Sequence, residues 1–223
     1  MIIGINGKIG AGKDTVGTII QGLLYTNKDQ SSEIKKFAGK MKQIASILTG
    51  ISVEKFEDQE FKECFLDVEW GTVQDIPLNS IPPFADMQFN VMMTVREFLQ
   101  KLGTEAMRDG LHTNVWVNAL FADYKKDWGI ESNLPHSEFL NLKYPNWIIT
   151  DMRFPNEMEA VVKRHGITIR VTRPVKKSKN TPKLHSSETA LDKAKFDYEI
   201  INDGSMEKLV KKVRKILIKE ELI

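Results

Sequence analysis

Residues 7 to 15, GKIGAGKDT, place a glycine, four intervening residues and then Gly-Lys. Gly7, Gly12 and Lys13 thus fit G-x-x-x-x-G-K, the pattern of a loop that wraps a phosphate. In such a loop the backbone N–H groups of Lys8, Gly10, Ala11 and their neighbours surround the anion. The following helix adds its positive end, and Lys13 reaches the outer phosphates. About 0.05 to 0.1 matches per chain of this size arise by chance, so the flanking elements must decide. The next position ordinarily carries Ser or Thr, whose hydroxyl binds magnesium; here it is Asp14. Three roles are open to that carboxylate: capping the first helical turn, holding magnesium through water, or marking a degenerate site. Thr15 lies about 100° further round a helix and cannot simply replace it, although its hydroxyl can reach an inner phosphate oxygen.

Further chemistry-bearing residues lie downstream. Asp151 ends the apolar run WIIT, and a carboxylate at a strand's carboxyl end lies where open α/β sheets bind ligands. It is a candidate to orient magnesium; the plain alternative is a cap for the helix that Pro155 opens. Arg153, two residues on, can contact phosphate from the same rim. Arg96 and Arg108 offer planar forks suited to a phosphate, against the commoner fate of a surface arginine. No Ser–His–Asp or H-R-D pattern supplies a general base. Transfer onto a hydroxyl profits from such a base, whereas a phosphate monoester has a second pKa of about 6 and is already largely dianionic. A site made mainly of cations therefore suits a phosphate acceptor.

The elements that must position these residues alternate. Met1 to Asn6 reads as a buried strand, and Thr15 to Tyr25 repeats apolar residues at helical spacing. Strand, glycine loop and helix is the context the motif requires. A second strand is expected at 34–38 and a helix at 40–48, followed by a charged amphipathic stretch at 52–66. Residues 71–93, with three prolines, read as loop or lid, and 128–145 as another excursion. Helical patterning returns at 94–107 and 115–125. Strands follow at 147–150, 167–171 and 198–201, with helices after Pro155 (ended by Gly166) and from Met206 onward. This order predicts an α/β fold with a mostly parallel sheet and helices on both faces.

Composition excludes several classes. The 223 residues, 41% hydrophobic and 28% charged, can bury a real core. A net charge of +2 gives no global case for nucleic-acid binding. Cys64 is the only cysteine and the four histidines are scattered, so neither an intrachain disulfide nor a thiolate metal site can form. No apolar run reaches membrane-span length, and the start reads as a strand rather than a signal peptide. The expectation is a cytoplasmic, unanchored protein.

Taken together, IGINGKIGAGKDT, KKFAGKMK, TVREFLQKLGTE with WVNAL, IITDMRFPNE, IRVTRP, HSSETALD and FDYEIINDGS resemble the deoxynucleoside monophosphate kinases of tailed bacteriophages. They run in order from residue 2 to about 205. The resemblance implies a phosphate-loop kinase fold: a three-layer sandwich with a five-stranded parallel sheet. Its core would span about 1–50 and 147–223, with an acceptor-binding helical insertion at about 51–146 and a small lid at about 173–190. It implies phosphoryl transfer from ATP to a deoxynucleoside monophosphate with magnesium, a homodimer, and no stable binding to nucleic acid or membrane. Gly7, Lys8, Gly10, Ala11, Gly12, Lys13, Asp14 and Thr15 would hold the ATP phosphates, with Arg173 at the lid and Asn202 and Gly204 near the adenine. Phe37, Arg96, Gln100, Arg108, Trp116, Arg153 and Glu188 would serve the acceptor. Lys13, Arg96, Asp151 and Arg153 would act in transfer, and Asp14 and Asp151 would face the metal. Phe84, Phe89, Trp70 and Trp116 are aromatic candidates for base stacking, each with a core role as the plain alternative. A phosphomevalonate-kinase-like enzyme resembles the chain at GKD, and a non-catalytic ATP-binding accessory is the alternative from another class. Asp14 marks a subfamily under this reading, since adenylate-kinase-like enzymes read GKGT at the same place.

Overall fold

The structure, a computed structural model, describes residues 1–67, 70, 93–125, 144–174 and 186–223. Most of the expected loop at 71–93, most of the excursion at 128–145 and much of the expected lid fall outside these residues, as do Phe84 and Phe89.

Five parallel strands form one sheet: β1 (Ile2–Asn6), β2 (Glu33–Lys35), β3 (Trp147–Ile149), β4 (Ile167–Thr172) and β5 (Tyr198–Ile201). Their order is β2-β3-β1-β4-β5. Ile3 stands opposite both Ile148 and Ile167, so β1 is central. Its IIGI run is buried throughout because helices cover both faces. Ile3 and Ile5 point into one cluster with Val16, Ile20 and Leu24 of α1 (Lys13–Lys28) and Leu209, Val213 and Leu217 of α7 (Met206–Lys219). Ile2 points the other way, with Trp147 and Ile149, toward α4 (Val115–Phe121) and α5 (Pro155–Val162). The alternation is the strand period of two, and each such side chain contributes about 1.5–3 kcal/mol by leaving water.

The chain forms two compact units, 1–39 with 116–223, and 40–115. The second has its own core of Ala45, Phe56, Leu66, Val95, Phe98 and Leu99. Ala45 belongs to α2 (Ala38–Thr49), and Phe56 to the 3₁₀ turn Val53–Glu57 within the charged stretch. There Lys42 is buried with its ammonium 2.5 Å from Glu57. Helix α3 (Val95–Gln100) opens with a reciprocal cap, Glu97 N–H to the Thr94 hydroxyl (3.2 Å) and Thr94 N–H to the Glu97 carboxylate (2.8 Å).

Two details depart from the sequence expectation. The expected single helix over 94–107 changes winding after Gln100, and Lys101–Asp109 is π-helical. Apolar periodicity does not distinguish that wider turn. Gly166 does not supply the left-handed stop after α5. His165 does, at φ 56°. Gly166 is instead a close-approach position, where a Cβ would meet a Val161 methyl at 2.7 Å and the Ile2 carbonyl at 3.0 Å.

Candidate active site

The phosphate loop leaves β1 and enters α1 through two left-handed glycines, Gly10 (φ 76°) and Gly12 (φ 95°). A turn closes it, Ala11 N–H donating to the Lys8 carbonyl at 3.1 Å. Gly7 is required for packing, because a Cβ there would lie 2.7 Å from the Val171 carbonyl oxygen. Asn202, just past β5, donates its side-chain amide to the Ala11 carbonyl at 3.0 Å. That amide nitrogen is also 2.5 Å from where a Gly12 Cβ would sit, so Asn202 braces the back of the loop. Gly204 is exposed in the same β5–α7 connection.

Burial, and then repulsion from Arg153, hold the Lys13 ammonium below its ordinary pKa; Asp14, Glu188 and Asp151 pull the other way. Asp14 does not cap α1, whose N-cap is Gly12 with no side-chain bond. Its Oδ1 accepts from the Thr150 hydroxyl at 2.8 Å and lies 3.7 Å from the Lys36 ammonium. Thr15 is half-buried in the first turn.

Asp151 caps a helix, but a different one from that expected. Its two oxygens accept the N–H groups of Phe37 (2.7 Å) and Ala38 (2.9 Å), at the start of α2. The Pro155 helix is closed by Glu157, whose carboxylate accepts the Phe154 N–H at 3.0 Å and the Arg153 N–H at 2.6 Å. Arg153 itself pairs with Glu188 at 2.5 Å, and the other Glu188 oxygen accepts the Ile9 N–H of the loop at 3.2 Å. Glu188 belongs to α6 (Ser186–Thr189). The residues after it are tied down by a Lys8–Asp192 pair at 3.3 Å and by Arg170, which donates to the Leu191 and Asp192 carbonyls. A pocket of about 380 Å³ opens here, lined by Gly7, Gly10, Arg153, Arg170, Arg173 and Glu188 among others.

The acceptor candidates separate into two groups. Phe37 is buried, edge-on to Phe121 at 6.1 Å, and Trp116 is buried as well. Trp70 packs edge-on against Phe98 at 5.2 Å. Arg96, Gln100 and Arg108 are half-buried in the second unit, where Arg96 meets Glu63 at 2.5 Å. Thr150 and Lys36 contact Asp14, and Arg170 and Asp192 line the pocket; sequence reasoning did not single out these four. Thr150 carried a signal as a polar residue directly after the apolar run WII, and Arg170 as the one charged residue of ITIRVT.

A family model described as "Deoxynucleotide monophosphate kinase" matches residues 72–213. The chain belongs to that family. A "Deoxynucleotide monophosphate kinase" of Enterobacteria phage T4 is 29% identical over 160 residues, covering 72% of this chain and 56% of that one. Its counterpart in Escherichia phage RB69 is 30% identical over 128 residues, covering 57% and 46%. The match thus spans about half the length of these two relatives. The "Deoxynucleoside-5'-monophosphate kinase" of Escherichia phage T5 aligns more fully, at 23% identity over 91% of this chain and 89% of its own. Among the described residues no group of three metal-ligating side chains converges, and no helix is long and apolar enough to cross a membrane.

Proposed function

We propose that this chain transfers the terminal phosphoryl group of ATP to the phosphate of a deoxynucleoside monophosphate, releasing ADP and the deoxynucleoside diphosphate. One observation carries the reading: a loop amide and Arg153 together hold an anion, the Glu188 carboxylate, beside the partly buried Lys13. N–H groups and a guanidinium are the donors that a polyphosphate requires. Family membership supplies the acceptor class.

In this mechanism Gly10 and Gly12 let the loop backbone close on the phosphates, while Lys13 neutralises charge that develops during transfer. Arg153 meets the transferred group from the rim of β3. The acceptor phosphate arrives as a dianion and needs no base. Arg96, Gln100 and Arg108 are assigned to the acceptor, and Arg173 to the donor side. Magnesium supplies charge neutralisation between the phosphates when bound. A cation of this kind keeps several waters and takes one or two carboxylates, which fits Asp14 and Asp151. Each Asp151 oxygen accepts one N–H and retains acceptor capacity, so this carboxylate, with Asp14, would hold the cation. The family reading extends to a homodimer, which light scattering on the purified protein tests.

The deciding experiment is a coupled assay for ADP with each dNMP and with phosphomevalonate. ADP formed only with dNMPs is the expected result. Turnover with phosphomevalonate alone moves the substrate assignment, and nucleotide binding without acceptor-dependent turnover overturns the kinase reading. Lys13→Ala should abolish turnover with the fold retained.

A further inference from the structure

Glu188 presents an anomaly that the reaction does not by itself require. Its side chain is only 8% exposed, yet it lines a pocket that Arg153, Arg170 and Arg173 share with the glycine loop. Both oxygens are engaged by groups of the kind that bind phosphate, Arg153 at 2.5 Å and the Ile9 N–H at 3.2 Å. The carboxylate is delivered there by structure. Leu191 is buried in the sheet-face cluster, Arg170 grips the Leu191 and Asp192 carbonyls, and Lys8 holds Asp192. The anchored segment starts three residues beyond Glu188, so its backbone is held beside the loop and side-chain rotation is what remains to move the carboxylate.

We propose that Glu188 is a positioning residue that stands in for a phosphate: it keeps Arg153 and the Ile9 N–H aimed at the phosphate position and gives both up to the incoming phosphate. The inference rests on the assignment of the loop to a polyphosphate, and it deepens that assignment. A carboxylate and a phosphoryl oxygen compete for the same donors, and like charges cannot share them in a partly dry site. Glu188 therefore lowers the affinity for every polyphosphate that takes its place. Its negative charge also offsets the repulsion between the Lys13 ammonium and the Arg153 guanidinium. When the phosphate leaves, the carboxylate returns and the fork of Arg153 keeps its aim.

The test uses the full chain as wild type, Glu188→Gln and Glu188→Ala, with folding of each checked by thermal melt. Inorganic tripolyphosphate is the probe, titrated by calorimetry, so the readout does not depend on turnover. Glu188→Gln removes the charge and keeps an acceptor for Arg153; tripolyphosphate should bind about fivefold or more tightly, since close charge pairs at binding sites carry effects of that size or greater. Glu188→Ala should bind it more tightly too, but with a lower kcat than Glu188→Gln, because Arg153 loses its guide. Unchanged or weaker tripolyphosphate binding in folded Glu188→Gln overturns the proposal and leaves Glu188 as a brace alone. If no dNMP is turned over but Glu188→Gln still tightens tripolyphosphate binding, the acceptor assignment fails and the role of Glu188 stands.

Discussion

Lys13 is the residue through which pH reaches the site. Its folded pKa lies below the ordinary 10.5, because burial and Arg153 disfavour the charged form. Above the folded pKa and below 10.5 the unfolded chain binds more protons than the native one, so stability rises with pH across that window. A bound polyphosphate reverses the local balance and favours the ammonium. Tripolyphosphate affinity should therefore fall as pH climbs through the free-state pKa of Lys13, with proton uptake on binding in that range. Calorimetry in two buffers of different ionisation enthalpy measures this uptake, and Lys13→Arg should abolish it because guanidinium stays charged. Thr150 provides a second test at this scale. Its buried hydroxyl donates to Asp14, whose side chain is 65% exposed and can turn back to water. Thr150→Val should consequently cost only about 1 kcal/mol, read by urea unfolding.

Helix α1 shows how an element is fitted to the site, through two of its glycines. A Cβ on Gly17 would lie 2.5 Å from the Thr150 methyl carbon, so α1 approaches β3 as closely as it does only because residue 17 has no side chain. A Cβ on the exposed Gly22 would meet nothing within 4 Å. Replacing a helical glycine by alanine gains about 1 kcal/mol in propensity, while overpacking costs about 1–3 kcal/mol. Gly22→Ala should therefore stabilise the protein and Gly17→Ala destabilise it, compared by their denaturation midpoints. The contrast also marks what the sequence made legible. Alternating Ile2, Ile3 and Ile5, the helical spacing of Val16, Ile20 and Leu24, and GKIGAGKDT between them specify strand, loop and helix by local chemistry. The partners of Asp151 and Glu188 are not local. Asp151 reaches amides 113 and 114 residues away, and Glu188 an amide 179 residues away. Only the strand order brings those groups together. The π winding after Gln100 was illegible for another reason, since Leu102, Ala106 and Met107 are the only apolar side chains of that stretch and too few to fix a period.

At the scale of the molecule, the chain leaves its first unit at Gly39 and re-enters it at Trp116. The two units bury separate clusters. Ile3, Ile5, Ile169 and Val171 lie in one, and Phe56, Val95, Phe98 and Leu99 in another. Separate cores allow one unit to open without the other, since cooperative opening follows contiguous packed groups. Phe56 is fully buried at the centre of the second cluster, tilted against Phe61 at 6.5 Å. Phe56→Ala removes about 3–5 kcal/mol of packing, a large share of what holds a unit of this size. Hydrogen exchange read by mass spectrometry should then show faster exchange for peptides within 40–67 and 93–115, with β1 and β4 still protected. ATP binding, assigned to the first unit, should survive while acceptor-dependent turnover falls, because Arg96, Gln100 and Arg108 all belong to the second. Equal loss of protection in β1 and β4 would instead mean that the two clusters unfold as one cooperative body, and donor binding would then fail together with turnover.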